Sequence, residues 1–293
     1  YADRKLSIIT DNHRIEEFIP HYYRTSNLSG TRFTNRSKRP LVRPLSSQNA
    51  PTEGLAGRHI AMWQSHGRYF DQKENVWRWQ RSRLWETVED LFTQSFVLPY
   101  LVPMLENAGA NVLLPRERDT QLCEIIIDND SGVDDTTYAE SNGSQAWGDD
   151  VVGFAHLKDI YMNGENPFRD GTTRAVKSIT SGDESRAEWR AAIPETGEYA
   201  VYVSYASHGT ESADDAVYTV HHLGGESRFA VNQTMGGGMW IYLGHFPLCR
   251  RRGADVGVTL EHHDRRRPHS LGRRGQDRRR LRQYRPRGVA VAA

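Results

Sequence analysis

Lysine is absent from residues 250–293, cysteine is nearly absent throughout, and no apolar run is long. Each shortage excludes something. Two cysteines in 293 residues, Cys123 and Cys249, supply neither a framework of disulfides nor a metal-binding pair. Without a stretch of about 18 apolar residues, no membrane-spanning helix is expected. No methionine or apolar leader precedes Tyr1, so the chain reads as a fragment or a processed product. The lysine-free tail is the oddest shortage. Of 38 bases and 37 acids in the chain, 14 arginines and 4 acids fall in residues 250–293, which leaves 24 bases against 33 acids, a net of −9, in residues 1–249.

An arginine cluster of that density resembles an arm that neutralises phosphates, but its composition argues otherwise. Arginine is accompanied by glycine, proline, histidine and alanine, the residues of GC-rich codons read out of frame. Gly272 to Arg287 has a synonymous encoding which, read one nucleotide later, gives ADAVKIGGGFGNIAR, an alternating strand followed by a glycine-rich turn. Residues 249–293 are therefore expected to have left their frame soon after Leu248 and to pack poorly. No nucleic-acid partner is expected.

What is present suffices for real cores: 37% of residues are hydrophobic and 10% aromatic. Residues 1–54 read as an N-terminal strand fragment, broken at Pro20, and a linker. Residues 55–127 read as a partial α/β unit. His59–Trp63 is a short strand ending in a turn at Ser65–Gly67. Leu84, Val88, Leu91, Phe92, Phe96, Val97 and Leu98 then recur near helical spacing, which predicts a helix over 82–107, interrupted at Pro99 and Pro103 and stopped by Gly109. "ANVLLP" returns as a strand. Strand, helix, strand in this order implies a parallel βαβ unit. Residues 128–248 read as an antiparallel β-sandwich, from the alternation of Tyr199, Val201, Val203 and Tyr205, a Gly-Gly hairpin inside "AVYTVHHLGGESRFAV", and the strand "MWIYLGHF". The fold class is thus α/β plus all-β.

Three stretches resemble known families. "IAMWQSHGRYF" and "LENAGANVLLPRERDT" resemble a zinc-dependent N-acetylmuramoyl-L-alanine amidase. "GGGMWIYLGHF" is similar to the golvesin/xanthan-lyase carbohydrate-binding-like module, whose closing pattern the out-of-frame ADAVKIGGG also resembles; chains of this type are often labelled xanthan lyase. The amidase resemblance implies amide hydrolysis by a zinc-bound water. It makes His66 the first zinc ligand and Glu89 the second, with Glu86, one turn earlier, as its substitute. Arg118 and Asp119 would support the site from the strand end. No catalytic residue is assigned, because the family's third ligand and its general-base glutamate have no counterpart here. The resemblances together imply an extracytoplasmic cell-wall hydrolase, inactive as it stands, with peptidoglycan or another polysaccharide as partner. The alternative is a non-catalytic polysaccharide-binding protein.

Simpler readings compete for several residues. Trp63, Trp77, Trp79 and Trp85 could line a sugar groove, but large aromatics more often pack, and packing is expected for them as for Tyr202, Tyr205, Trp240 and Tyr242. Asp128, Asp130, Asp134 and Asp135 superficially resemble a calcium loop without its terminal glutamate spacing.

Overall fold

The computed structural model describes residues 7, 9–10, 13–14, 39–47, 50–52, 54–115, 118, 123–130, 137–158 and 160–250, and the backbone of strands at 257–261, 283–284 and 287–292. The chain divides into two units, Tyr1–Lys38 and Arg39–Ala293. In the first, β1 (Ile9–Thr10) and β2 (His13–Arg14) pair antiparallel, within the stretch expected to hold a strand or two.

The second unit begins with β3 (Val42–Pro44), β4 (His59–Ala61) and a hairpin of β5 (Arg68–Asp71) and β6 (Val76–Trp79). Helix α1 (Glu89–Phe96), a π-helical turn (Val97–Leu101) and α2 (Val102–Asn107) follow, leading into β7 (Asn111–Leu113). β7 pairs with β4 in parallel, the strand–helix–strand arrangement that the periodicity predicts.

The helix start differs from expectation. Leu84 and Thr87 exchange backbone hydrogen bonds of 2.8 and 3.0 Å across a two-residue turn, with Trp85 and Glu86 at φ 54° and 65°. The helix therefore begins at Glu89, not Ser82. Pro99 lies inside the π turn, where a residue without an N–H is accommodated by wider hydrogen bonding. The apolar stripe also differs. Val97 and Val102 pack with Ala110 and Val112 and with Leu55, Ile60 and Met62, while Leu84, Leu91, Phe92 and Phe96 lie exposed.

Next come β8 (Glu124–Ile127), β9 (Thr137–Ser141), β10 (Gly148–Gly153), β11 (Gly171–Lys177), β12 (Arg186–Arg190), β13 (Gly197–Ser204), β14 (Ala216–His222), β15 (Gly225–Val231) and β16 (Ile241–Leu248). The last are β17 (Gly257–Glu261), β18 (Gln283–Tyr284) and β19 (Arg287–Ala292). One sheet runs β3-β15-β14-β17-β12-β9, a second β16-β13-β19-β8, and a third β10-β11-β18, with every pairing antiparallel. Trp189, Tyr218, Val220 and Phe229 of the first meet Tyr199, Val201, Val203, Ile241 and Leu243 of the second in one core. That is a β-sandwich.

Two findings go beyond the expected sandwich. The alternation of β13 predicts one buried face, but Ala200 and Tyr202 on its other face are buried too, against Ile126, Trp240 and Tyr242. The tail was expected to pack poorly, yet its backbone supplies internal strands to both sheets. β17 lies between β14 and β12, and β19 between β13 and β8.

Candidate functional site

The strand β4 leads into Gln64, Ser65, His66 and Gly67, a turn in which Gly67 has φ 68°, a conformation that favours glycine. The carboxylate that reaches this turn is neither Glu86 nor Glu89 but Asp90, whose residue is 0% exposed. Its Oδ1 accepts the Ser65 hydroxyl proton and, at 2.6 Å, the Gly67 amide. Burial works to raise the Asp90 pKa, but these two hydrogen bonds and the neighbouring His66 ring outweigh it and hold the carboxyl below its ordinary 3.8. Glu86 sits exposed on the left-handed turn and Glu89 exposed at the start of α1.

His66 Nε2 lies 3.2 Å from the Arg81 guanidinium. Arginine only donates, so Nε2 is the acceptor in this contact. Among the described residues, no group of three His, Cys, Asp or Glu side chains is placed to hold a metal. Among the described residues, His66, Glu86 and Glu89 are therefore not gathered into a zinc site.

Arg118 is well packed instead of backing a metal. It donates to Glu106 Oε1 at 2.7 Å, and its guanidinium lies 3.6 Å from the centroid of the Tyr242 ring, so it ties α2 to the outer face of the sandwich. Asp119 lies outside the described residues, as do Asp134 and Asp135 of the acidic stretch. Asp130 there accepts from the Thr172 hydroxyl at 2.5 Å and from the Thr172 amide, and Asp128 accepts from the Asn129 amide at 2.7 Å. The Asp130 bonds clamp the loop to β11, and the Asp128 bond is local to the loop.

The aromatic residues divide. Tyr202 and Tyr205 are buried, and Trp240 packs edge-on against Phe154 with centroids 4.9 Å apart, as a packing role predicts. Trp63, Trp77 and Trp85 contradict it. They are 64%, 55% and 97% exposed. Too few strands stand behind them to form a second layer.

A groove that sequence reasoning missed lies in the sandwich. Its cavity of about 260 Å³ is lined by Val151, Val152, Phe154, Phe168, Thr173 and Ser204, with Tyr205–Ser207 and the backbone of Gly237 and Gly238 closing one end. A register shift between Asp149 and Val152 breaks the β10–β11 ladder and leaves Val152 exposed at the rim. At the other end, a Cβ on Gly237 would fall 2.6 Å from the Ser207 amide nitrogen, so only glycine lets the loop approach so closely. Phe168 stacks obliquely on Phe154 at 5.3 Å, and Trp240 backs both rings. The Ser204 hydroxyl is buried and has no hydrogen-bond partner among the described residues. Thr173 Oγ1 donates to the Val151 carbonyl, with Asp150 Oδ2 3.4 Å away and His208 Nε2 3.4 Å beyond that. An apolar floor with a few convergent polar groups suits a small polar ligand with apolar faces. Only the glycine run "GGGMW" hinted at it.

Comparison with known proteins bears on the same part of the chain. A solved Paenibacillus xanthan lyase aligns at 18% identity and a TM-score of 0.39, covering 58% of this chain and 13% of that one. A carbohydrate-binding module of the β-sandwich superfamily aligns at 11% identity and a TM-score of 0.25, covering 62% of this chain and 63% of that one. The chain thus spans a small part of the xanthan lyase and less than two thirds of the module. At these scores neither alignment decides a ligand. No curated protein sequence matches the chain. Residues 164–266, from the approach to β11 through β17, match the family model of the Golvesin C-terminal domain, so the frame as written carries that match past Leu248, and about a third of the chain is similar to this family.

Proposed function

We propose that the chain is a non-catalytic polysaccharide-binding protein whose sandwich holds a glycan segment in the groove between β10, β11 and the 236–238 loop. The observation that carries this reading is the groove itself: Phe154 and Phe168 on its floor, backed by Trp240, with the buried Ser204 hydroxyl lacking a partner. A pyranose ring presents an apolar C–H face to stack on an aromatic and equatorial hydroxyls to satisfy such a group. The match of residues 164–266 to the Golvesin C-terminal domain supports it, and such a ligand would be met outside the cytoplasm.

Affinity electrophoresis through gels containing single soluble polysaccharides tests the reading. At least one polysaccharide should retard the protein; Phe168→Ala should weaken the retardation about tenfold, the loss expected from one stacking contact, and Val152→Asp, which puts a charge on the apolar rim, should weaken it as well. The proposal is overturned if no polysaccharide in a broad panel retards the protein, or if both variants are retarded as strongly as the original chain.

A further inference from the structure

The exposed tryptophans belong to a surface apart from the groove. On the β5–β6 hairpin, Arg68 is opposite Trp79 and Phe70 opposite Trp77, so all four share one face. The Arg68 guanidinium lies 4.7 Å from the Trp79 ring centroid, and Phe70 meets Trp77 edge-on at 5.5 Å. Trp77 and Trp79 are two positions apart on one strand, roughly 7 Å. Six residues on, the turn at Trp85 and Glu86 places the chain's most exposed tryptophan in open solvent. Both of these residues occupy the left-handed region at φ 54° and 65°, which is unfavourable for side chains with a Cβ. Strain that serves to display an indole points to recognition.

Charge indicates the ligand. Residues 77–85 contain Trp77, Trp79 and Trp85 interleaved with Arg78, Arg81 and Arg83, and no acid, in a region of the chain that is otherwise net negative. We propose that this surface binds a uronate-bearing polysaccharide, with sugar faces stacked on the indoles and carboxylates paired with the arginines. Guanidinium groups match carboxylates in a planar, two-pronged geometry. On the face shared by Trp77 and Trp79 the cation is Arg68, seated beside the Trp79 ring, so a sugar chain lying across the two indoles meets a guanidinium next to them; Arg78 faces the other way and pairs with Asp71 at 3.2 Å. A protein interface would gather contiguous apolar side chains at its centre. The surface is separate from the groove, so its test succeeds or fails independently of the proposed function.

The test is native affinity electrophoresis of the full chain in gels containing polygalacturonate, with neutral hydroxyethylcellulose and a labelled oligo-dT as the other arms. Polygalacturonate should retard the protein, less so as salt is raised. Trp77→Ala, Trp85→Ala and Arg83→Gln should each weaken retardation about tenfold. Arg83→Lys should restore only part of the loss. Thermal melting of each variant, expected to match the original because these side chains are exposed, separates lost binding from lost fold. The proposal is overturned if polygalacturonate gives no retardation, if hydroxyethylcellulose retards the protein equally, if oligo-dT binds more tightly than polygalacturonate, or if folded Trp77→Ala and Trp85→Ala variants bind undiminished.

Discussion

In the sandwich, Trp189, Tyr199, Tyr205 and Tyr218 are almost completely enclosed; between residues 63 and 104, Trp85, Phe92, Tyr100 and Met104 stand in solvent. The two regions have similar apolar residues and differ in sheet width. Sheets of six and four strands facing each other enclose a full layer of side chains between them. The parallel sheet has two strands of three residues, and it covers one stripe of one helical segment, the stripe of Val97 and Val102. Everything on the other side of that helix stays wet. Burial here follows from how many strands stand behind a residue, and aromatic content alone does not foretell it.

The contrast can be broken most forcefully at Trp189. Trp189→Ala removes a fully buried indole from the centre of the sandwich and should cost about 3–5 kcal/mol, read as a lower midpoint in urea unfolding. A loss under about 1 kcal/mol would mean that the sandwich core is no tighter than the helical region. A middle effect is expected at Asp90, where Asp90→Ala leaves the Ser65 hydroxyl and the buried Gly67 amide without their acceptor and should cost about 1–3 kcal/mol. The pH sign follows from its lowered pKa. The folded state binds this proton less readily than the unfolded chain does, so the contribution is complete above 3.8 and is lost as pH falls through the lower folded value. Asp90→Asn should flatten that acid limb. The smallest effect belongs to Phe92, which is 75% exposed: Phe92→Ser should change stability, read from the urea midpoint, by less than about 0.5 kcal/mol.

Much of the architecture was legible because it rests on local pattern. Alternation revealed β13, the glycine pair located the β14–β15 hairpin to within a residue, and helical spacing between two short apolar runs gave the parallel pair. What escaped detection was decided by contacts remote in sequence. Leu84 fits the helical period, but the chain there closes a turn on Trp85 and Glu86, residues that give no turn signal of their own. Tyr202 is buried in line with its expected packing role, but the alternation of β13 leaves Ala200 on a second face, and nothing local announces Ile126, Trp240 and Tyr242 lying over it. In the acidic pair at the start of α1, the later helix start brought Asp90, not Glu89, to the His66 turn. The tail was judged by its arginine content as a whole, which hid the short alternations "GVTLE" and "GVAVA". The groove depends on three strands and a loop that only folding brings together.

β17 and β19 occupy internal places in their sheets, yet they come late in the chain. Until they emerge from the ribosome, β12 and β14 have no common neighbour and β13 does not reach β8, so these strands keep unsatisfied edges up to that point. Such edges invite pairing with other chains. The sandwich is therefore completed last at its middle, and its hazard lies in the wait for the closing strands more than in the finished fold.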